Sequence, residues 1–220
     1  MTSAASRGAT PFVCYGTSVR RGTSGVTAFA IFHRRDVTRA RKAFIKARTA
    51  LGAPHTVRFD SRALQPGADP LAPAGIEEAR QRLAHMIETF NSVPGMLRYA
   101  YIDLSAYPLD LDESTEGQKA WGEVGRVLRN ACFAVPAGGE LGPQEHECEV
   151  LMAEDGDRNA YAHGVLFDLA DMIGHACATS LLAGESGWAQ TALDGVRYWS
   201  KQEVRHRFEE RSGLAETQNH

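Results

Sequence analysis

The stretch AHGVLFDLADMIGHACATSLL, residues 162 to 182, constrains the fold more than any other part of this chain. Val165, Leu166, Leu169, Met172, Ile173, Ala176 and Cys177 spread apolar side chains over a wide arc. That is the pattern of a long helix, about 159 to 183, laid against a sheet. Gly164, Asp168, Asp171 and His175 recur at i, i+4, i+7 and i+11 and therefore share one stripe of it. Two carboxylates on so apolar a helix require counter-charge, which a metal ion, an arginine or a helix N-terminus can each supply. Arginine pairing at a partly exposed edge is the plainest of these solutions.

The segments before that helix alternate between two periods. Residues 11 to 19 (PFVCYGTSV) and 25 to 33 (GVTAFAIFH), rich in β-branched and aromatic side chains, flank RRGTSG and predict a β-hairpin. From Asp36 the period becomes helical, with Val37, Ala40, Phe44, Ala47 and Leu51 on one face until Gly52 and Pro54 stop it. HTVRFD at 55 to 60 predicts a short strand, and 65 to 75 a turn-rich loop. A second helix from about Gly75 places Ile76, Ala79, Leu83, Ile87 and Phe90 on one face, with Glu78 and Arg82 at i,i+4, and ends at Pro94 and Gly95. A strand at 96 to 104 follows. A third helix, 115 to 132, is capped by Asp112 or Ser114 and turns Trp121, Val124, Leu128 and Ala131 inward. A loop at 135 to 146 then leads to a strand at 147 to 153.

This β-β-α-β-α-β-α-β-α order predicts an α/β domain over residues 1 to 183, with a mixed five-stranded sheet flanked by helices. Residues 184 to 220 read as a helical C-terminal extension and tail. There SKQE at 200 to 203 is a capping box opening a short helix that includes Val204 and Phe208.

Composition removes several classes of protein. At 43% hydrophobic and 23% charged the chain has ordinary globular usage, so fibrous, disordered and disulfide-scaffold architectures are set aside. No apolar run approaches the length of a membrane span, and the N-terminus lacks a signal-peptide core, which together predict a cytoplasmic, membrane-free protein. The four cysteines, Cys14, Cys132, Cys148 and Cys177, form no C-x-x-C pair and read as reduced thiols. No G-x-S-x-G or H-E-x-x-H occurs, and His146 with Cys148 is poor zinc spacing.

The net charge of -3 hides an asymmetry: residues 1 to 110 carry +7 and residues 111 to 220 carry -10. A basic surface for a polyanion accounts for it, and so does a protein partner or a homo-oligomer joined by complementary faces. The positive charge is densest around the first helix. There Arg34, Arg35, Arg39, Arg41, Lys42, Lys46 and Arg48 surround the apolar stripe with only Asp36 to oppose them, and Arg20 and Arg21 add to them from the hairpin. Arg35, Arg39, Arg41, Lys42 and Lys46 are the candidate contacts to nucleic-acid phosphates, with a merely solvated helix face as the alternative. Asp103, ending its predicted strand, is a turn former or, together with carboxylates of a neighbouring helix, an oxygen ligand for Mg2+ or Mn2+.

With this element order, the motif Phe167, Asp168, Leu169, Ala170, Asp171, Met172 resembles the ribonuclease H-like superfamily. Within it the chain is similar to a widespread uncharacterised prokaryotic family that opens with an Asp-Glu-Ser-Gly strand and closes with a helix reading roughly Gln-Leu-Ala-Asp-Leu. The resemblance covers about residues 11 to 183, and only this short motif is close. It implies two-metal hydrolysis of a phosphodiester by carboxylates from the first strand, a helix, the fourth strand and the last helix. Asp103 would take the fourth-strand place, Asp171 the last-helix place, and Glu77 or Glu78 the intervening helix. Asp168 would join Asp103 and Asp171 as a catalytic and metal-holding residue, with His175 as a further metal ligand. The first-strand place is empty of acid, because Gly16, Thr17 and Ser18 stand where the family has Asp-Glu-Ser.

Two functions are therefore expected. One is a nuclease-like hydrolase that uses Mg2+ or Mn2+ at Asp103, Asp171 and Asp168. The other is a catalytically degenerate relative that binds nucleic acid or a protein partner through its basic N-terminal region.

Overall fold

The computed structural model describes residues 10–21, 24–53, 59–65, 71–103, 115–134, 143–153, 164–181 and 199–203. It is an α/β structure whose mixed sheet is flanked by helices. β1 (Phe12–Arg21) and β2 (Ser24–His33) form the predicted hairpin, paired in antiparallel register from Phe12↔His33 to Arg21↔Ser24. β3 (Met96–Asp103) lies antiparallel to β2 on its other side, and β4 (Cys148–Met152) lies parallel to β1.

The hairpin alternates its side chains between two cores. Val13, Tyr15, Val26, Ala28, Ala30 and Phe32 face one side and are buried against α1 (Val37–Ala50), α2 (Ile76–Asn91) and α4 (Gly164–Leu181). Cys14, Phe29 and Ile31 face the other, where α3 (Thr115–Phe133) supplies Val124, Val127, Leu128 and Ala131. Both faces of β1 and β2 are thus covered along much of their length, which is why Phe12–Tyr15 and Ala28–Phe32 are continuous apolar runs. All four cysteines are buried and unbridged, and burial pushes the Cys132 thiol up to about 12, so that it stays protonated at neutral pH.

The helix faces follow the periodicities closely. Val37, Ala40, Phe44 and Ala47 are buried along α1, and Ala79, Leu83, Ile87 and Phe90 along α2, where Met86 joins them. Ile76 is an exception: it is 52% exposed, because the first residue of α2 precedes the point where the helix meets the core. Trp121 is half-buried over Gly25, and Arg20 lies 5.6 Å from the centre of its ring.

One expectation about strands changes, and another falls mostly outside the described residues. Of the predicted strand at 55 to 60 only Phe59 and Asp60 are described, and neither is in a strand; Asp60 instead caps a 3-10 turn, Ser61–Leu64, through Arg62 N–H. The segment expected to open a C-terminal helix is a strand, β5 (Trp199–Glu203), parallel to β3 from Leu97↔Trp199 to Tyr101↔Glu203. The observed sheet order is β4-β1-β2-β3-β5. A four-residue capping signal is worth about 1 kcal/mol, whereas the open edge of β3 offers this segment a run of ladder hydrogen bonds, and the ladder prevails. The helix caps at Asp112 or Ser114, the helical residues 159 to 163, and the rest of the predicted extension lie outside the described residues. No helix among the described residues is long and apolar enough to cross a membrane.

Gly16 and Gly122 test the packing in opposite directions. A Cβ on Gly16 would stand 2.3 Å from the Phe29 ring and 2.6 Å from Met152 Sδ, whereas one on Gly122 meets nothing within 4 Å. Gly16→Ala is expected to lower stability by about 1–3 kcal/mol through overpacking. Gly122→Ala is expected to raise it by about 0.5–1 kcal/mol through helix propensity. Chemical denaturation of both variants checks the pair, and equal effects would contradict the β1–β4 packing.

Candidate functional site

Gly174 sets the position of α4 on the sheet. A Cβ there would stand 3.0 Å from Thr17 Cγ2 and 3.0 Å from Val19 Cγ2, so the bare glycine lets the helix lie close on β1. One turn earlier on the helix, Asp171 then meets Thr17, whose hydroxyl donates to Asp171 Oδ1 at 3.2 Å. The second oxygen of Asp171 accepts the Ser61 backbone N–H at 2.9 Å. Asp168, one turn further back and only 3% exposed, accepts the Phe59 N–H on Oδ2 at 3.0 Å.

Phe59 and Ser61 are alternate residues of one segment, and the two acids are i, i+3 on one helix face. A single short strap is therefore hooked to α4 by two backbone donors. The intervening Asp60 turns away to accept Arg62 Nε at 2.8 Å and Arg62 N–H at 3.1 Å. Phe59 is buried below the strap, with the Arg82 guanidinium 5.9 Å from its ring centre. The counter-charge for Asp168 is Arg48, whose Nη1 lies 3.7 Å from Oδ2; both side chains are buried. Arg48 thus leaves the basic surface on which the sequence placed it and joins α1 to α4 from inside.

The other predicted metal and catalytic residues do not gather here. The backbone of Asp103 pairs with Ser24, at the hairpin end of the sheet, while Thr17 pairs with Ala28 and Ala28 with Tyr99. Asp103 is therefore four residues along the sheet and two strands across from Thr17, roughly 13 Å by 10 Å. Among the described strands it ends the third in chain order, and most of the strand expected at 55 to 60 lies outside the described residues. Glu77 pairs with Arg80 at 3.4 Å. Glu78 accepts the Ala74 N–H and an Arg82 bond, which together hold its carboxyl below the usual range. His175 is buried one turn beyond Asp171, with Nε2 3.5 Å from Thr179 Oγ1.

Among the described residues, no three His, Cys, Asp or Glu side chains group closely enough to hold a metal ion. The donor set also fits a divalent cation poorly. Asp168 faces a guanidinium and an N–H, and Asp171 faces a hydroxyl and an N–H, so both already have donors where a cation would need bare oxygen.

The predicted phosphate contacts are placed differently. Arg35, Arg39, Lys42 and Lys46 are exposed, and Arg41 is partly so. At 100° per residue, Arg39, Lys42 and Lys46 fall within a wedge of about 60° opposite the buried face of α1 and span about 10 Å along its axis, and exposed Arg35 stands just before them in the 3-10 turn Arg34–Asp36. Arg35 reaches Asp36 at 3.5 Å, while Arg39, Arg41, Lys42 and Lys46 make no ion pair among the described residues. α1 itself contains no acidic residue. Arg34 is drawn off to Glu149 at 2.6 Å and to Thr10. Arg20 pairs with Gly25, eight residues and about 27 Å along β2 from His33, at the opposite end of the hairpin from the one that leads into α1.

Sequence reasoning missed Thr17, Arg48, Phe59 and Ser61 as parts of this site. The periodicity carried two of them: Thr17 shares the period-two face of Val13 and Tyr15, and Arg48 follows Phe44 by four. Phe59 and Ser61 act through backbone N–H groups, which every non-proline residue has. Compared with family models, curated proteins and solved structures, the chain matches none.

Removing one partner of the buried pair is expected to be costly. Asp168→Ala leaves Arg48 buried without its anion and should destabilise by about 3–5 kcal/mol. Arg48→Met with Asp168→Leu should recover much of this, leaving about 1–3 kcal/mol from the Phe59 N–H that still lacks an acceptor. Urea denaturation measures both variants, and a loss under about 1 kcal/mol for Asp168→Ala would contradict the clamp.

Proposed function

We propose that this chain is a nucleic-acid-binding protein, a catalytically degenerate relative of the ribonuclease H-like nucleases. The exposed row Arg39, Lys42 and Lys46 on α1, which makes no ion pair among the described residues, is the observation that carries the binding. Three such charges on one helix, with Arg35 in the turn before it, suit a row of phosphates, the electrostatic footprint of a nucleic-acid backbone.

The kinship is supported by Asp171 facing Thr17, because the resemblance implies that the last-helix acid and the first strand meet. The loss of catalysis is supported by the same contact. Two facing carboxylates repel one another until a cation is added, whereas a carboxylate facing a hydroxyl donor is already satisfied. Asp168 and Asp171, on this reading, are structural acids that hold the 59–64 strap to α4.

The nuclease reading keeps one observation in its favour, the two carboxylates one turn apart on α4, and it makes the opposite prediction in metal. Saturation of a Mn2+ site at a hundredfold over its dissociation constant would stabilise the fold by about 2.7 kcal/mol, several degrees of melting temperature. We expect no such shift in millimolar Mn2+. A shift that Asp171→Asn abolishes would establish the metal site instead.

Binding is tested by titrating labelled nucleic acid at two salt concentrations. With about four phosphates neutralised, affinity should fall about a hundredfold between 50 and 200 mM salt. Undetectable or salt-independent binding would reject the reading and turn attention to a protein partner or a second copy of the chain as the source of the charge asymmetry.

A further inference from the structure

The form of the cation row narrows the ligand. This inference rests on the proposed nucleic-acid binding and names its substrate class. Arg39, Lys42 and Lys46 stand along the crest of α1, with Arg35 in the turn before it, and the helix is fixed in place by Val37, Ala40, Phe44 and Ala47 beneath it and by the Arg48–Asp168 pair. The backbone that carries the row is therefore as rigid as the fold itself. Between and beside the cations stand exposed or half-exposed Thr38, Ala43, Thr49 and Ala50, with partly buried Ile45 and Arg41 on the flanks of the helix. The first four are small side chains that let a ligand approach the helix closely. The one aromatic residue of α1, Phe44, is fully buried.

Single strands and duplexes ask different things of a binding surface. A flexible single strand gains much of its affinity by stacking bases on exposed rings, at about 1–3 kcal/mol per base. The crest of α1 offers charge and small side chains instead. A duplex holds its phosphates in regular rows beside a major groove about 12 Å wide, which admits a helix of about 10–12 Å diameter. Cations spaced along a fixed helix gain most from phosphates that are fixed already, since only the side chains must then be ordered.

We propose that the crest of α1 binds double-stranded nucleic acid through its phosphate backbone, with little regard to sequence. Contacts made by cations to phosphates carry no base information, so duplexes of different sequence should bind alike.

The test uses the full chain and three probes of equal length: a duplex, its separated strand, and a second duplex of unrelated sequence. The duplexes should bind within about threefold of each other and at least about tenfold tighter than the strand. The logarithm of affinity should fall with the logarithm of salt at a slope of about -3 to -4. Arg39→Glu with Lys42→Glu and Lys46→Glu should remove binding, and the milder Arg39→Gln, Lys42→Gln and Lys46→Gln triple should flatten the slope by about three. All three positions are exposed, and circular dichroism confirms that each variant is folded. Equal or tighter binding of the single strand would overturn the duplex assignment while leaving nucleic-acid binding standing. Duplex binding that survives both triple variants would remove α1 as the surface. No binding to any probe would overturn the assignment together with the reading beneath it.

Discussion

The buried pair of Arg48 and Asp168 is the constraint on which the arrangement of this protein depends. Each partner is expensive to bury alone, and together they are tolerated because the carboxylate also accepts a backbone N–H from Phe59. Three separate pieces of chain are committed by that one meeting: the last turn of α1, the strap at 59–64, and the second turn of α4. Once Arg48 points inward, the helical period turns Lys42, Lys46 and Arg39 outward on the opposite side of α1. The buried charge and the exposed row of charge are two consequences of the same rotation of one helix.

The acids of α4 are held in place entirely by groups of the protein itself. A carboxylate in an apolar setting needs positive charge or hydrogen-bond donors, and the protein can supply these from a metal or from itself. Here the donors are the Thr17 hydroxyl, the Ser61 and Phe59 amides, and Arg48. The close approach of α4 to β1 at Gly174 makes the first of these contacts possible, and a bulkier residue there would lift Asp171 away from Thr17. The exposed cations of α1 take no part in these contacts, because Arg39, Lys42 and Lys46 lie on the face of the helix turned away from α4.

Much of the fold was legible in the sequence, and the residues say why. The faces of α1 and α2 were readable because Val37, Ala40, Phe44 and Ala47, and then Ala79, Leu83, Ile87 and Phe90, repeat at the helical period. The hairpin was readable because its strands are rich in β-branched and aromatic residues. The strand at Trp199–Glu203 was not, since its SKQE signal describes local hydrogen bonding while its structure is decided by the distant edge of β3. The acidic stripe on α4 was seen, and so was its need for counter-charge. The identity of the donors was hidden, because backbone N–H groups from a strap about 110 residues away leave no mark in composition or period. Asp103 was placed at a strand end correctly, yet the register that carries it to the hairpin end could be known only from the paired strands.

The central claim is that Asp168 and Asp171 serve as acceptors for the strap. Amide hydrogen exchange at Phe59 and Ser61 tests it most directly. The account predicts slow exchange at both amides in the wild type, faster exchange at Phe59 in Asp168→Asn, and faster exchange at Ser61 in Asp171→Asn, with the β1–β2 hairpin unchanged in each. Rapid exchange at both amides in the wild type, or rates indifferent to the two substitutions, would contradict it.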